Sequence, residues 1–130
     1  QEVGGFTEEG GYRAVEAQIG RIAADDITCV FAANDLMALG ALDALRSAGL
    51  DSPDDVSVVG FDDIGAARYA RPRLTTIRQD VEALGSLAAG ALIDAFDNDD
   101  GLEPANHVRP VQLIVRDSTG PCPPPTRRRD

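Results

Sequence analysis

The spacing of apolar residues along the chain alternates between two patterns. Where they recur every three or four positions the pattern predicts a helix with one buried face, and where they form short, nearly unbroken runs it predicts a buried strand. Helices are predicted at residues 7–24, 36–48, 64–70 and 81–96. Strands are predicted at residues 27–32, 56–61, 74–77 and 111–115. Because strands and helices alternate over short connections, the chain is expected to form an α/β fold with a mainly parallel sheet flanked by helices.

Polar residues mark where the predicted helices begin and end. Asp35 and Asp80 each precede an apolar stretch and are predicted N-caps. Gly49 follows the second helix, where a left-handed cap favours glycine. That second helix, residues 36–48, is apolar on nearly all sides, so it needs cover on more than one side.

The charge of the chain excludes one class of function for these residues alone. The formal net charge is −10, and all 12 basic residues are arginines, scattered except at the end. DNA binding requires clustered positive charge that neutralises phosphates, so this chain is not expected to bind DNA unaided. No signal peptide or membrane-spanning run is visible, which predicts a cytoplasmic protein. Residues 120–130 are rich in proline and arginine and are expected to form a disordered tail.

The two cysteines are expected to remain unpaired. Cys29 lies in an apolar run and is predicted to be a buried core thiol, whereas Cys122 lies in the proline-rich tail. No catalytic arrangement is recognisable, since the single His107 lies in a distant loop. No metal site and no cofactor site is predicted either.

Polar residues lie just beyond the ends of the first two predicted strands. Asn34 comes after the first strand and Asp62 after the second, and ligands of open α/β sheets bind beyond the carboxyl ends of strands. These groups suit a polyhydroxylated ligand such as a sugar. The alternative is that Asp35 is only a helix cap and that Asp62 and Asp63 only form a solvated turn. Phe6 could stack on a ligand or pack beside the first helix.

Four segments resemble one protein family in sequence, order and spacing. They are FTEEGGYRA at 6–14, FAANDLMALGA at 31–41, DVSVVGFDD at 55–63 and LTTIRQ at 74–79. The resemblance is to the lactose/galactose repressor (LacI/GalR) family of transcriptional regulators. It implies a periplasmic-binding-protein type I fold, in which two α/β subdomains flank an effector cleft and follow a helix-turn-helix head. Residues 1–119 would then be a partial effector-binding and dimerisation domain, with 81–106 corresponding to a segment of the N-terminal subdomain.

The resemblance also implies roles for particular residues. Phe6 falls where the family places an aromatic side chain against its effector, a sugar or a similar small polar molecule. Asn34, Asp62 and Gln79 fall on polar contact positions. A homodimer is implied, with contacts at Leu39, Ala66, Tyr69 and Ala70. Operator DNA would be bound only through a helix-turn-helix head expected to lie outside this chain, and no membrane partner is implied.

The alternative function is a sugar-binding protein of a transporter, which shares the fold. Asp63-Ile64 and the segment at 74–79 favour the regulator, because transporter proteins typically lack both. One further expectation follows from the length of the chain. The helix at 81–96 carries an apolar stripe that includes Leu84, Leu87 and Leu92, and this stripe needs cover, either from the chain's own sheet or from a second copy.

Overall fold

The chain contains helices and a four-stranded sheet, as seen in a computed structural model that describes residues 5–24, 26–97 and 108–122. In chain order the elements are α1 Glu8–Glu16, α2 Ile19–Ala23, β1 Cys29–Phe31, α3 Asp35–Ser47, β2 Ser57–Phe61, a 3₁₀ turn at Gly65–Arg68, β3 Thr75–Arg78, α4 Val81–Asp97 and β4 Gln112–Ile114. The strand order is β1-β2-β3-β4, and β2 is parallel to both β1 and β3. The predicted α/β class with a mainly parallel sheet is therefore confirmed. Residues 98–107, which include His107, and residues 123–130 of the predicted tail lie outside the described residues.

The chain divides into two units. The first contains residues up to Arg78 and from Leu113 onward, and the second runs from Gln79 to Gln112. The first unit is therefore discontinuous in sequence. Its core includes Val56, Val58 and Leu74, none of which is exposed.

The first predicted helix is two helices, contrary to expectation. α1 ends at Glu16, and the Gln18 N–H donates to the Val15 carbonyl, a tighter step than an α-helix makes. α2 then begins at Ile19. The apolar spacing of three and four residues continues across the break, which is why it does not reveal the break.

The apolar helix α3 is covered on two sides, by α1 and by β2. The contact with α1 is a contact between backbones. A Cβ at Gly40 would collide with the Glu8 carbonyl, and a Cβ at Gly11 would collide with the Met37 carbonyl. These two glycines let the helices approach closely, so most of the apolar surface of α3 is buried within the chain. Gly49 ends α3 with a φ of +72°, as predicted.

The strand β1 departs from the prediction of a strand buried on both faces. Cys29 and Phe31 are exposed, Phe31 by 62%. The physical reason is position, because β1 is the end strand of the sheet that the described residues form. The expectation that Cys29 is a buried core thiol is therefore wrong, although partial burial raises its pKa. Cys29 is a free thiol, as expected.

The second unit contains α4. Asp80 caps this helix, accepting a hydrogen bond from the Ala83 N–H at 2.9 Å, as predicted. None of the described α4 side chains is buried. Leu84 and Leu87 are partly buried and Leu92 is 48% exposed. The expectation that this stripe acquires a cover stays a prediction.

Candidate functional site

Three neighbouring strands of the first unit end at the same edge of the sheet. Phe31, the last residue of β1, is paired with Val59 of β2, and Phe61 is paired with Ile77 of β3. Asn34 lies three residues beyond β1 and Asp62 lies directly after β2. Both therefore lie at the carboxyl edge, where the sequence placed them. Gln79 follows β3 directly and is the first residue of the second unit.

Asn34 connects two features of this edge. Its Oδ1 accepts the Met37 N–H at 2.9 Å, and its Nδ2 donates to the Phe6 carbonyl at 3.0 Å. Asn34 is thus the N-cap of α3, and the prediction that Asp35 is the cap is wrong. The backbone conformation explains this, because an N-cap residue is extended, as Asn34 is, whereas Asp35 is already helical.

Phe6 is held in an uncommon conformation. Its φ is +58°, a left-handed value that non-glycine residues rarely adopt, and its side chain is 68% exposed. A ring this exposed does not use its apolar surface to pack beside α1. The hydrogen bond from Asn34 therefore ties the backbone of this exposed aromatic residue to the start of α3, at the carboxyl edge where Asp62 also lies.

Asp35 is a buried carboxylate that joins three elements. It is fully buried in α3, accepts the Thr76 hydroxyl of β3 at 2.5 Å and accepts the Ile64 N–H at 2.8 Å. Burial raises the pKa of Asp35, the two hydrogen bonds oppose the rise, and the nearby charges of Asp62 and Asp63 add to it. A Cβ at Gly60 would collide with this carboxylate, so β2 requires glycine there.

Asp62 and Asp63 form a turn of two left-handed residues, with φ values of +115° and +56°. The Asp62 N–H donates to the Ile77 carbonyl at 2.8 Å, which fixes the turn to β3. The Asp63 side chain is only 1% exposed. The alternative in which both residues form a solvated turn is therefore wrong for Asp63, because arginine side chains replace its water.

Three arginines surround the Asp63 carboxylate. Arg116 contacts Oδ1, Arg78 contacts Oδ2 at 2.6 Å and Arg68 contacts Oδ2 at 3.4 Å. Burial opposes ionisation of Asp63, but the hydrogen bonds and charges of Arg116 and Arg78 outweigh it. The pKa of Asp63 accordingly lies below its ordinary value.

The sequence did not predict a role for the segment from Arg116 to Ser118. Arg116 donates to the Leu74 carbonyl at 2.7 Å as well as to Asp63. Ser118 is fully buried, donating to the Val58 carbonyl at 2.7 Å and accepting the Thr75 N–H at 2.8 Å. The signal available was a charged residue directly after an apolar strand. A buried serine gives no such signal, because serine is usually exposed.

The described residues contain no group of three or more side chains that could hold a metal ion. No helix among them is long and apolar enough to cross a membrane. A cavity of about 450 Å³ lies between α1, α2 and β1, and its lining, which includes Val15, Ile22 and Val30, is mainly apolar. None of the predicted effector residues lines it.

The predicted dimer residues lie on or near the surface. Tyr69 is 81% exposed and Ala66 is exposed, whereas Leu39 and Ala70 are partly buried. Leu36, on the same helix as Leu39, is 43% exposed. These residues leave apolar surface on α3 and on the 3₁₀ turn.

A comparison with known families matches residues 3–119 to the periplasmic binding protein-like domain. The chain belongs to this family. Among curated proteins, the domain is 46% identical over 121 residues to the HTH-type transcriptional regulator MalR of Streptomyces coelicolor, covering 91% of this chain. It is 40% identical over 115 residues to the regulator CelR of Thermobifida fusca, covering 88% of this chain. The chain spans only about a third of the length of these relatives, 33% in each case.

Solved structures give the same result for the domain. A complex of the transcriptional regulator CelR with cellobiose matches with a TM-score of 0.79 and 40% identity, covering 87% of this chain and 34% of the other. A LacI family regulator from Enterococcus faecalis with bound ribose matches with a TM-score of 0.80 and 35% identity, covering 89% and 42%. A lac repressor dimer bound to operator matches with a TM-score of 0.75 and 32% identity, covering 88% and 38%. These homologues are LacI-family regulators, which confirms the resemblance seen in the sequence.

Proposed function

We propose that this chain is the ligand-sensing and dimer-forming part of a LacI-type transcriptional regulator, with a sugar or similar small polar effector bound by Phe6, Asn34, Asp62 and Gln79. The observation that carries the proposal is the carboxyl edge of the first unit. There, Asn34 holds an exposed, left-handed Phe6 by a hydrogen bond, and Asp62 follows the neighbouring strand.

The chemistry of these residues fits a sugar. The Asp62 carboxylate offers two acceptor oxygens to hydroxyl donors, and an aromatic ring offers its face to the apolar side of a pyranose. Solved relatives with bound cellobiose and bound ribose support this class of effector. Gln79 completes the set with an amide that can both donate and accept.

The regulator acts through DNA that this chain does not bind by itself. A net charge of −10 repels phosphates, so operator contact requires a separate basic segment. The proposal therefore expects a helix-turn-helix segment in the complete gene product, which acts in the cytoplasm. The domain catalyses no reaction and needs no cofactor in this role.

The proposal includes a homodimer formed by α3 and the 3₁₀ turn. Exposed apolar surface at Leu36 and Tyr69 supports it, since a surface of this kind is usually an interface. The lac repressor relative that binds operator is itself a dimer. Ala66 and Ala70 lie beside Tyr69 on this surface.

A sugar-binding protein of a transporter is the competing function. The regulator is favoured because the relatives reported above are transcriptional regulators, some with sugars bound. The complete coding sequence separates the two functions. A helix-turn-helix segment supports the regulator, whereas a signal peptide in its place would contradict it.

The binding test uses the complete gene product and a fluorescent duplex of the DNA upstream of its own gene. Cellobiose, ribose and a panel of related sugars are added, and anisotropy reports DNA binding while calorimetry reports sugar binding. The proposal expects at least one sugar to bind and to change the affinity for DNA. A product that binds the duplex but responds to no sugar would contradict the effector class, and one that binds no DNA would contradict the regulator.

A further inference from the structure

The Asp63 carboxylate lies at the meeting point of three segments of the first unit. Arg68 reaches it from the 3₁₀ turn, Arg78 from the end of β3 and Arg116 from the segment that follows β4. A side chain 1% exposed with three cationic partners is costly to build, because both the carboxylate and the guanidinium groups lose water. Neither the fold class nor the proposed effector contacts require such a cluster.

Two of these arginines lie close to the chain crossings between the units. Arg78 is the last residue before the chain leaves the first unit at Gln79. Arg116 comes three residues after the chain returns at Leu113. Asp63 therefore bonds to both crossing segments at once, on one carboxylate.

The same residue fixes the conformation of Asp62. Two consecutive non-glycine residues with positive φ are strained, and such strain persists only where the surroundings impose it. The Asp63 N–H donates to the Thr76 hydroxyl at 3.4 Å, and its carboxylate is held by the arginines. Together with the bond from the Asp62 N–H to the Ile77 carbonyl, these contacts hold the turn against β3.

We propose that Asp63 is a positioning residue: it holds Asp62 in place for the effector and ties that position to both segments that cross between the units. This inference rests on the proposed function for the role of Asp62. Asp63 itself is buried among arginines and does not contact the effector. A change in the Asp62 turn is transmitted through the shared carboxylate to Arg78 and Arg116, where the two crossings begin.

The test compares Asp63→Asn with Asp117→Asn. Asp117 is the matched control, because it lies on the same returning segment and pairs in a bidentate manner with Arg73, at 2.6 and 2.9 Å, but does not contact the Asp62 turn. The first measurement is amide hydrogen exchange in the 130-residue chain. Asp63→Asn is expected to speed exchange of the Asp62 amide by about tenfold or more, while Asp117→Asn leaves it unchanged.

A third variant separates positioning from a general loss of stability. Leu45→Ala creates a cavity in α3, where Leu45 is 1% exposed, and lowers global stability. In Leu45→Ala, the exchange rate of the Asp62 amide divided by that of the other sheet amides is expected to equal the ratio in the unmodified chain. Equal acceleration by Leu45→Ala and Asp63→Asn would overturn the inference, and so would an unchanged Asp62 amide in Asp63→Asn.

The second measurement is sugar binding by the complete gene product, with the sugar that the anisotropy assay selects from cellobiose, ribose and the panel. Asp63→Asn is expected to raise the Kd by about tenfold or more, because a displaced Asp62 loses its charge-assisted contact with the sugar, and Asp117→Asn is expected to leave the Kd unchanged. If unmodified protein binds sugar and Asp63→Asn binds equally well, the inference fails and the proposed function stands. If unmodified protein binds no sugar, both the proposed function and the effector role of Asp63 fail, whatever the exchange shows.

Discussion

At the residue scale, two neighbouring aspartates occupy different surroundings. Asp62 is partly exposed and follows β2 at the carboxyl edge, whereas Asp63 is buried against three arginines. Asp35, a third carboxylate close by, is buried, and its partners among the described residues are a hydroxyl and a backbone N–H. The pKa of Asp35, buried without a cationic partner, is raised, whereas the pKa of Asp63, buried against arginines, is lowered.

The first prediction concerns effector affinity. Asp62→Ala in the complete gene product is expected to weaken sugar binding by about 1.5–3 kcal/mol, because a charged acceptor of hydrogen bonds is removed. Calorimetry with the sugar selected above measures it, and Asp117→Ala is the control. An affinity equal to that of the unmodified protein would contradict the role of Asp62.

The second prediction concerns the pH dependence of stability. The folded pKa of Asp63 is lowered below its ordinary 3.8, so the stability that its ionised form contributes is present above 3.8 and is lost as the pH falls through the folded pKa. The folded pKa of Asp35 is raised, so its contribution declines as the pH rises from 3.8 through the folded pKa.

Thermal unfolding of two variants measures this difference. The stability deficit of Asp63→Asn is expected to be largest near neutral pH and to shrink below 3.8. The stability deficit of Asp35→Asn, relative to the unmodified chain, is instead expected to shrink as the pH rises above 3.8. Deficits that are independent of pH in both variants would contradict the assignment.

At the scale of elements, the contact between α1 and α3 decides how the apolar helix is covered. Gly11 and Gly40 allow the two backbones to touch, and the remaining buried positions of α3 face β2. Small residues rather than large apolar ones therefore define this interface. Its stability depends on the absence of side chains at two positions.

The third prediction tests this interface. Gly40→Ala is expected to destabilise the chain by about 1–3 kcal/mol, because the added methyl group forces α1 and α3 apart. Gly90→Ala in α4 is the control, since a Cβ there meets nothing within 4 Å and alanine favours a helix by about 1 kcal/mol. Chemical denaturation measures both, and a Gly40→Ala variant as stable as Gly90→Ala would contradict the prediction.

The sequence was informative about elements and less so about their environments. Apolar periodicity located α3, β2 and β3, because each combines a clear pattern with a recognisable boundary such as Gly49. It could not show that β1 is an end strand, since a run of apolar residues does not reveal how many neighbours a strand has. It also could not identify Asp63 as buried, because the arginines that replace its water come from distant positions such as Arg116.

At the scale of the whole molecule, exposed apolar side chains form two surfaces among the described residues. One lies on α3 and just after the 3₁₀ turn, with Leu36 and Tyr69 exposed, and the other lies on α4, with Leu92 and Ile93 exposed. The two surfaces belong to different units. Each therefore supports a separate prediction about association.

The fourth prediction concerns the dimer. Tyr69→Glu and Leu39→Glu in the complete gene product are expected to shift the protein toward monomers, because a buried charge without a partner opposes association. Val108→Glu is the control, at a residue 87% exposed and outside the proposed interface. Light scattering at micromolar concentration measures the mass, and a monomeric unmodified protein would contradict the interface.

The fifth prediction concerns the 130-residue chain by itself. Leaving the α4 stripe in water costs roughly 25 cal/mol per Å² of apolar area, so a second copy is expected to cover it. The chain is therefore expected to self-associate. The double variant Leu87→Ser with Leu92→Ser is expected to reduce this association, whereas Tyr69→Glu is expected to leave it in place. It is also expected not to bind DNA and to bind sugars weakly. An unmodified chain that stays monomeric at all concentrations would contradict the α4 contact.

The buried hydroxyl of Ser118 has a consequence for synthesis on the ribosome. Ser118 bonds to Val58 of β2 and to Thr75 of β3, yet it is made only after the whole of the second unit. The first unit therefore cannot complete its core while translation is passing through residues 79–112. While Ser118 is still inside the exit tunnel, the Val58 carbonyl and the Thr75 N–H therefore lack this hydrogen-bonding partner.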